Sequence, residues 1–334
     1  MNTENIIEGY SGYYAVQDIL KLSASGGASY ALSKTVLNND GIVYGVGYSQ
    51  DFTEAVYYEV TNELDLRVIQ GSKYIHSKKK VWVERKFINV FSRVAQKLLD
   101  KRTVLFIGLG CDVGALIAFC EKRKIDTTNL ITIDLICHGP TVSSVHEVFI
   151  RDLKRKYKSN ISEFSLRYKK NGWSLPYIRV KFDNNKIFMQ KWEDSDYCYA
   201  FGHFSKTACG LCKFKGGNHK SDITIGDYWG ITRDMEGFNP DGVSVLLVHT
   251  DKGNKLIECI DKNIFCYRKA SVNHILENNP MYCRSRDKDR TYKQFKKDLE
   301  KHGLKRAVQN DMGLFHYYIW KLKIFLKNFY RVTN

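Results

Sequence analysis

Two continuous apolar segments constrain the fold of this chain more than any other feature. They are TVLFIGLGC at 103–111 and NLITIDLIC at 129–137, and each is followed by a segment with helical periodicity. Uninterrupted apolar runs that alternate with helices are typical of neighbouring parallel strands in a sheet covered on both faces. Because the carboxyl ends of such strands meet at one edge, where ligand sites collect, we expect Cys111 and Cys137 to lie close together.

The rest of the chain extends this pattern into an α/β fold with a mixed sheet. We expect residues 1–158 to form an α/β domain, residues 159–270 a smaller antiparallel part that carries cysteines, and residues 271–334 a basic helical tail. The other predicted elements are strands at 42–48, 55–62 and 243–250, antiparallel strands within 162–192, and helices at 84–100, 113–123 and 142–157.

The positive charge is concentrated at the end of the chain. The net charge is +16, and residues 281–334 contribute 14 Lys and Arg against 5 Asp and Glu. No nucleic-acid-binding motif accompanies this charge, so we expect no nucleic-acid partner.

Residues 314–330 have helical periodicity with one apolar face, which either packs on the body of the protein or lies on an anionic membrane surface. The sequence has no apolar run of spanning length and no leader pattern, so we expect a cytoplasmic protein, with peripheral membrane contact as an alternative.

Four of the nine cysteines suggest a metal centre. Cys209 and Cys212 form a C-x-x-C pair, and Cys111 and Cys137 end the two apolar strands. Four thiolates suit either a 4Fe–4S cluster or structural zinc. The alternative is that Cys111 and Cys137 are only small buried residues at strand ends. Cys198 is the reserve fourth ligand in place of Cys111.

Small residues before a predicted helix suggest a phosphate site. Ser23, Ser25, Gly26 and Gly27 precede the helix, and their backbone could approach a phosphate closely, although an ordinary helix cap explains the same pattern. Lys73 could neutralise such a phosphate. Three other candidates are His138 as a proton donor beside Cys137, Asp227 after a predicted strand, and Trp229 as a pocket or core aromatic.

Several motifs occur together in the order typical of one family. They are SASGGASYAL, GSKYIHS, VLFIGLGCDVGAL, LITIDLICHGPTVSSV and CGLCKFKGGNHKSDITIGDYWGI. Over residues 10–235 the chain resembles the coenzyme F-420 hydrogenase/dehydrogenase beta-subunit family. The resemblance implies an α/β flavoprotein with FAD and a nearby 4Fe–4S cluster. It assigns Ser25, Gly26, Gly27, Ser72 and Lys73 to the flavin and Cys111, Cys137, Cys209 and Cys212 to the cluster, and Asp227 matches an aspartate of the family. From the residues themselves we add Ser23 to the flavin site, and we expect His138 and Asp227 to act in catalysis.

The chain differs from that family in two ways. It starts at the flavin domain, without the ferredoxin-like segment of many members, so we expect an external electron donor, either ferredoxin-like or a reduced deazaflavin. It also has G-L-G-C-D where the family usually has G-x-P-C-Q, which places Asp112 beside a cluster cysteine. The resemblance implies a small-molecule substrate, either coenzyme F-420 or a polysaccharide-pathway intermediate. A zinc-stapled transferase in surface polysaccharide biosynthesis is the alternative.

Overall fold

A large mixed sheet forms the centre of the protein in the computed structural model, which describes residues 5–286 and 292–333. The described strands are β1 (Glu8–Tyr14), β2 (Ile42–Tyr48), β3 (Ala55–Val60), β4 (Ser77–Val83), β5 (Lys86–Asn89), β6 (Val104–Ile107), β7 (Leu130–Leu135), β8 (Ile161–Tyr168), β9 (Tyr177–Phe182), β10 (Ile187–Lys191), β11 (Ile223–Asp227), β12 (Ser244–Val248) and β13 (Phe265–Lys269). Ten of these described strands form the large sheet in the order β13-β1-β12-β11-β7-β6-β2-β3-β4-β5, and β8–β10 form a small antiparallel sheet.

Helices cover both sheets. They are α1 (Gln17–Leu22), α2 (Ala28–Leu37), α3 (Val90–Leu99), α4 (Gly110–Lys122), α5 (Ser143–Tyr157), α6 (Asp196–His203), α7 (Thr207–Gly210), α8 (Asp251–Glu258), α9 (Val272–Asn278), α10 (Tyr292–His302), α11 (Leu304–Met312) and α12 (Leu314–Thr333). Among the described residues, no helix is long and apolar enough to cross a membrane.

The two apolar segments are neighbouring parallel strands, as the sequence predicts. In β6, Val104 and Phe106 pack on one side of the sheet with residues of α3 and α4. Leu105 and Ile107 pack on the other side, in the cluster that contains α2. β6 pairs in parallel with both β7 and β2, so every position of β6 faces apolar neighbours. Burial on both faces explains why the strand is continuously apolar.

The small sheet and the end of the chain form a second core. Ile178, Val180 and Phe182 alternate along β9 and pack with α5, α6, α10 and α11. This confirms the predicted mixed α/β fold with a smaller antiparallel sheet and a helical tail.

The helix predicted from residue 84 starts later in the structure. It begins at Val90, because the Asn89 side chain accepts hydrogen bonds from the backbone N–H groups of Phe91 and Ser92 and caps the helix there. Residues Lys86–Asn89 form β5 instead. Strands β1 and β13 were not predicted. The large sheet contains strands from before and after residue 158, and the division of the chain at that residue stays a prediction.

Candidate functional site

A cleft of about 540 Å³ lies at the carboxyl ends of the central parallel strands. Its walls include the residues that follow β6, the 135–140 segment that follows β7, and the end of β11. The opposite wall comes from the small sheet and its connections, including Arg167 and residues 174–176. The cleft volume lies in the range typical of sites for small molecules and cofactors, about 300–1,000 Å³.

The loop before α2 brings three predicted flavin-side residues to the cleft: Ser23, Ser25 and Gly27. The Ser23 hydroxyl donates to Ile19 O and the Ser25 hydroxyl donates to Val243 O, both at 2.8 Å. Gly27 is the N-cap of α2 with φ of +88°, a conformation that glycine adopts without strain. The start of α2 therefore faces the cleft while both serine hydroxyl protons are used within the fold.

Gly26 has a different position from its neighbours. It does not line the cleft, and a Cβ atom there would collide with the backbone at Gly12 O and Ser244 N. Gly26 thus allows the loop to pack against β1 and β12, and its position supports a packing role.

Ser72 and Lys73 line the same cleft from the 71–77 loop. The Lys73 ammonium group donates to Ile69 O at 2.8 Å, Gln70 O at 2.7 Å and Gly71 O at 3.0 Å. Burial lowers the pKa of Lys73 to about 7. All three donors of the ammonium group are occupied by the preceding turn, so the side chain shapes the cleft wall.

His138 and Asp227 both line the cleft, and Asp227 is held in an ion pair. Arg167 Nη1 donates to Asp227 Oδ2 at 2.8 Å, and both side chains are mostly buried. His138 is exposed to the cleft, yet desolvation by the surrounding walls lowers its pKa, and nearby Lys215 adds to this effect. The imidazole of His138 is therefore neutral at pH 7 and able to exchange a proton with a ligand.

The four predicted ligand thiols lie in one neighbourhood. Burial, then Asp112, then Cys137 raise the pKa of Cys111 to about 12, with a further contribution from Cys212. Burial is the main cause that raises the pKa of Cys137 to about 11; the Gly139 amide and Lys215 oppose it, and Cys209 and Cys212 contribute smaller increases. Cys111 and Cys137 are therefore each within electrostatic range of other thiols of the set.

The cysteine loops also make direct contacts. The Gly139 amide donates to Cys137 Sγ at 3.3 Å, and a Cβ atom on Gly139 would lie 3.3 Å from the Cys209 Cβ. His76 Nε2 lies 3.7 Å from Cys209 Sγ. Within residues 5–286 and 292–333, no group of three or more His, Cys, Asp or Glu side chains is close enough together to hold one metal ion.

Cys198, the reserve ligand, is in α6. Burial raises its pKa to about 12, with additional effects from Glu193 and Asp194. The pKa of Cys111, by contrast, is influenced by Cys137 and Cys212. The choice between Cys111 and Cys198 as the fourth ligand stays a prediction.

Asp112, which stands where the family usually has glutamine, is buried, and its carboxylate has three polar partners. Its carboxylate forms an ion pair with Lys79 at 2.6 Å and accepts hydrogen bonds from Tyr57 OH at 3.0 Å and Ser77 Oγ at 3.2 Å. Lys79 thus offsets the extra negative charge that Asp112 brings to the neighbourhood of Cys111.

Sequence reasoning missed two polar residues of the cleft, Arg167 and Gln70. Among the described residues, Arg167 Nε and Gln70 Oε1 are buried without a hydrogen-bond partner. Arg167 lies in β8, within an alternating strand pattern, and only the fold brings it to Asp227 of β11. A bound ligand with both donor and acceptor groups would satisfy these two atoms.

Comparison with known proteins agrees with this architecture. The family that matches is described as the C terminus of the beta subunit of coenzyme F420 hydrogenase/dehydrogenase, and the match covers residues 101–271, which is half of the chain. The chain belongs to this family. The match includes β6, β7, β11 and all four thiols of the set, and membership supports an oxidoreductase.

Solved structures show the same fold. A chain of the F420-reducing [NiFe] hydrogenase complex from Methanosarcina barkeri, studied with xenon, is similar with a TM-score of 0.55. The sequence identity is 14%, and the match covers 92% of this chain and 91% of that chain. No curated protein matches this chain.

Proposed function

We propose that this chain is an oxidoreductase that uses FAD and a 4Fe–4S cluster to pass electrons between an external donor and a small molecule. One observation carries the proposal: the N-terminus of α2 and the thiol neighbourhood meet at the same cleft, where Cys137 is part of the wall. A flavin in the cleft and a cluster on the thiols would then be close neighbours.

The start of α2 suits the diphosphate of FAD. The first turn contains no acidic side chain, and its N-cap, Gly27, has no side chain to cap the N–H groups. The Ala28 N–H donates a long hydrogen bond of 3.5 Å to Ser244 Oγ. Ala28 and Ser29 of this turn line the cleft. Unpaired N–H groups and the helix dipole favour an anion at such a terminus. Gln70 Oε1 and Arg167 Nε provide an acceptor and a donor for other polar groups of the cofactor.

The cysteine set has the composition that a 4Fe–4S cluster requires. A 4Fe–4S cube binds one thiolate on each of its four irons, and the set supplies four thiols. Cys111 and Cys137 are each influenced in their ionisation by other thiols of the set. Four thiolates also suit structural zinc, which is the alternative that belongs to the zinc-stapled transferase.

The chain's own residues bind the reactants and move the proton. Bound flavin would supply two-electron chemistry and the cluster single-electron transfer. Arg167 presents positive charge to the cleft and is fixed there by Asp227. His138, neutral at pH 7, would accept or donate a proton at a ring nitrogen. The substrate is coenzyme F-420 or an intermediate of polysaccharide synthesis, and the donor is a ferredoxin-like protein or a reduced deazaflavin.

Anaerobic purification followed by measurement of iron, zinc and flavin tests the cluster. We expect about four irons per chain, one per thiolate ligand in the set. Cys209→Ser should lose most of the iron, whereas Cys259→Ser, an exposed cysteine outside the set, should retain it. Stoichiometric zinc without iron would favour the transferase instead.

A charge change at Ser29 tests the flavin site. Ser29→Asp places a negative charge in the first turn of α2, which stabilises the helix but repels a diphosphate. We expect this variant to bind FAD at least about tenfold more weakly while it keeps its thermal stability. Ser29→Asn is the neutral control of similar size. Equal FAD affinity in both variants would place the diphosphate elsewhere.

A further inference from the structure

The C-terminal helix α12 is fixed to the protein along one side. Tyr317 is buried, with its hydroxyl 3.1 Å from Asp196 Oδ1. Lys321 Nζ donates to Asp194 O at 2.7 Å and forms an ion pair with Asp196 at 3.0 Å. Lys327 pairs with Glu193 at 3.1 Å. These contacts hold the helix in one orientation on the turn before α6.

The opposite side of α12 is apolar and exposed. Phe315 is 74% exposed, Tyr318 61%, Leu322 56% and Phe325 64%. These residues belong to the apolar face identified in the sequence, so the interpretation that this face packs on the body of the protein is wrong for them. We call these four residues, together with Leu326, the outer face of α12. An apolar surface of this kind on a fixed helix is a typical interaction site.

Positive charge surrounds the outer face. Residues 314–327 contain three lysines and no acidic residue, and Lys323 is exposed next to Leu322. The neighbouring helices α10 and α11 add six Lys and Arg against three Asp and Glu. A second copy of this chain would bring the same positive charge against itself, so the charge favours an anionic partner.

We propose that the outer face of α12 lies on an anionic lipid membrane. A helix with exposed aromatic and leucine side chains beside lysines inserts its apolar face into the headgroup region, while the lysines contact anionic lipids. Tyr317 and Lys321, on the other side of the helix, hold the rest of the protein at that surface. Because α12 is anchored to residues 192–196, and Trp192 and Glu193 line the cleft, the proposal places this wall of the cleft near the membrane. This proposal does not depend on the identity of the cofactors.

Vesicle binding by the full chain tests the proposal. Vesicles of phosphatidylcholine alone are compared with vesicles that also contain phosphatidylglycerol, in low and high salt. We expect the chain to sediment with the anionic vesicles only, and at least about tenfold less tightly in 1 M salt, where the Debye length falls to ~3 Å. Binding that is equal for both vesicles, or absent at low salt, overturns the proposal.

Point substitutions are better than truncation because Tyr317 belongs to the core. Leu322→Gln with Phe325→Ser should weaken binding to anionic vesicles at least about tenfold without a change in thermal stability. Leu64→Gln removes an 86% exposed leucine far along the chain and is the matched control. If the double variant binds vesicles normally, or if it converts a dimer of the wild type into a monomer, the outer face is not a lipid-binding surface.

Discussion

Substitutions at the Arg167–Asp227 ion pair would measure how much this one pair in the cleft wall contributes to the stability of the protein. Arg167 in β8 donates to Asp227 at the end of β11, so the pair joins the small sheet to the large sheet. Arg167→Met leaves the carboxylate in a poorly hydrated wall without its cation. Breaking a buried pair costs about 3–5 kcal/mol, and the exposed fractions of 10% and 16% reduce this to about 2–4 kcal/mol.

Urea unfolding of four proteins measures this energy: the wild type, Arg167→Met, Asp227→Asn and the double variant. We expect the double variant to be more stable than the sum of the single losses by about 1–3 kcal/mol, because it no longer leaves a buried charge unpaired. Arg179→Met is the control, since its partner Glu163 is half exposed and the loss should stay below about 1 kcal/mol. Strictly additive single losses, or an Arg167→Met variant as stable as the wild type, would refute this reasoning.

Two further predictions concern stability. His146 is buried with Nε2 2.7 Å from Phe52 O, and burial lowers its pKa to about 4. Below pH 6.5 the unfolded chain therefore binds a proton at His146 that the folded chain does not, so His146 contributes a loss of stability of about 3 kcal/mol between pH 6.5 and pH 4. His76, whose pKa is also lowered to about 4, adds to this loss. Urea unfolding across this range should therefore show a loss about 3 kcal/mol smaller in His146→Phe than in the wild type. Gly26→Val should destabilise the protein by about 3 kcal/mol because of its backbone collisions, with or without added FAD. A stable Gly26→Val protein that fails only in FAD binding would contradict the packing role.

The sequence predicted the centre of the fold because the signal there is local. Continuous apolar runs such as those of β6 and β7 are typical of parallel strands that are covered on both faces. Because the two strands are parallel neighbours, the segments with Cys111 and Cys137 follow them at the same edge of the sheet. Strands β1 and β13 were missed because neither has a clear strand pattern: β1 (EGYSGYY) contains two glycines, and β13 (FCYRK) ends in two basic residues. Their pairing partners are far away in the chain, as Tyr10 opposite both Leu246 and Lys269 illustrates.

Sequence motifs identified some residues of the cleft, but they did not identify residues that only the tertiary fold brings there. Ser23, Ser25, Gly27 and Cys137, which the motifs identified, line the cleft because they lie at helix and strand ends, and their binding roles stay predictions. Nothing in the sequence around Arg167 distinguishes it from the basic residues of other strands. The outward orientation of α12 was also hidden, because periodicity identifies an apolar face but not what covers it.

The position of β1 has a consequence for how the chain folds during synthesis. Glu8–Tyr14 is made long before its hydrogen-bond partners β12 and β13, which end at Lys269. At about 5–20 residues per second, roughly 10–50 s pass before β13 can join it. During that interval the residues of β1 lack both of their partner strands, and unpaired backbone groups of this kind can pair with other nascent chains. Conditions that slow translation should therefore lower the yield of native protein.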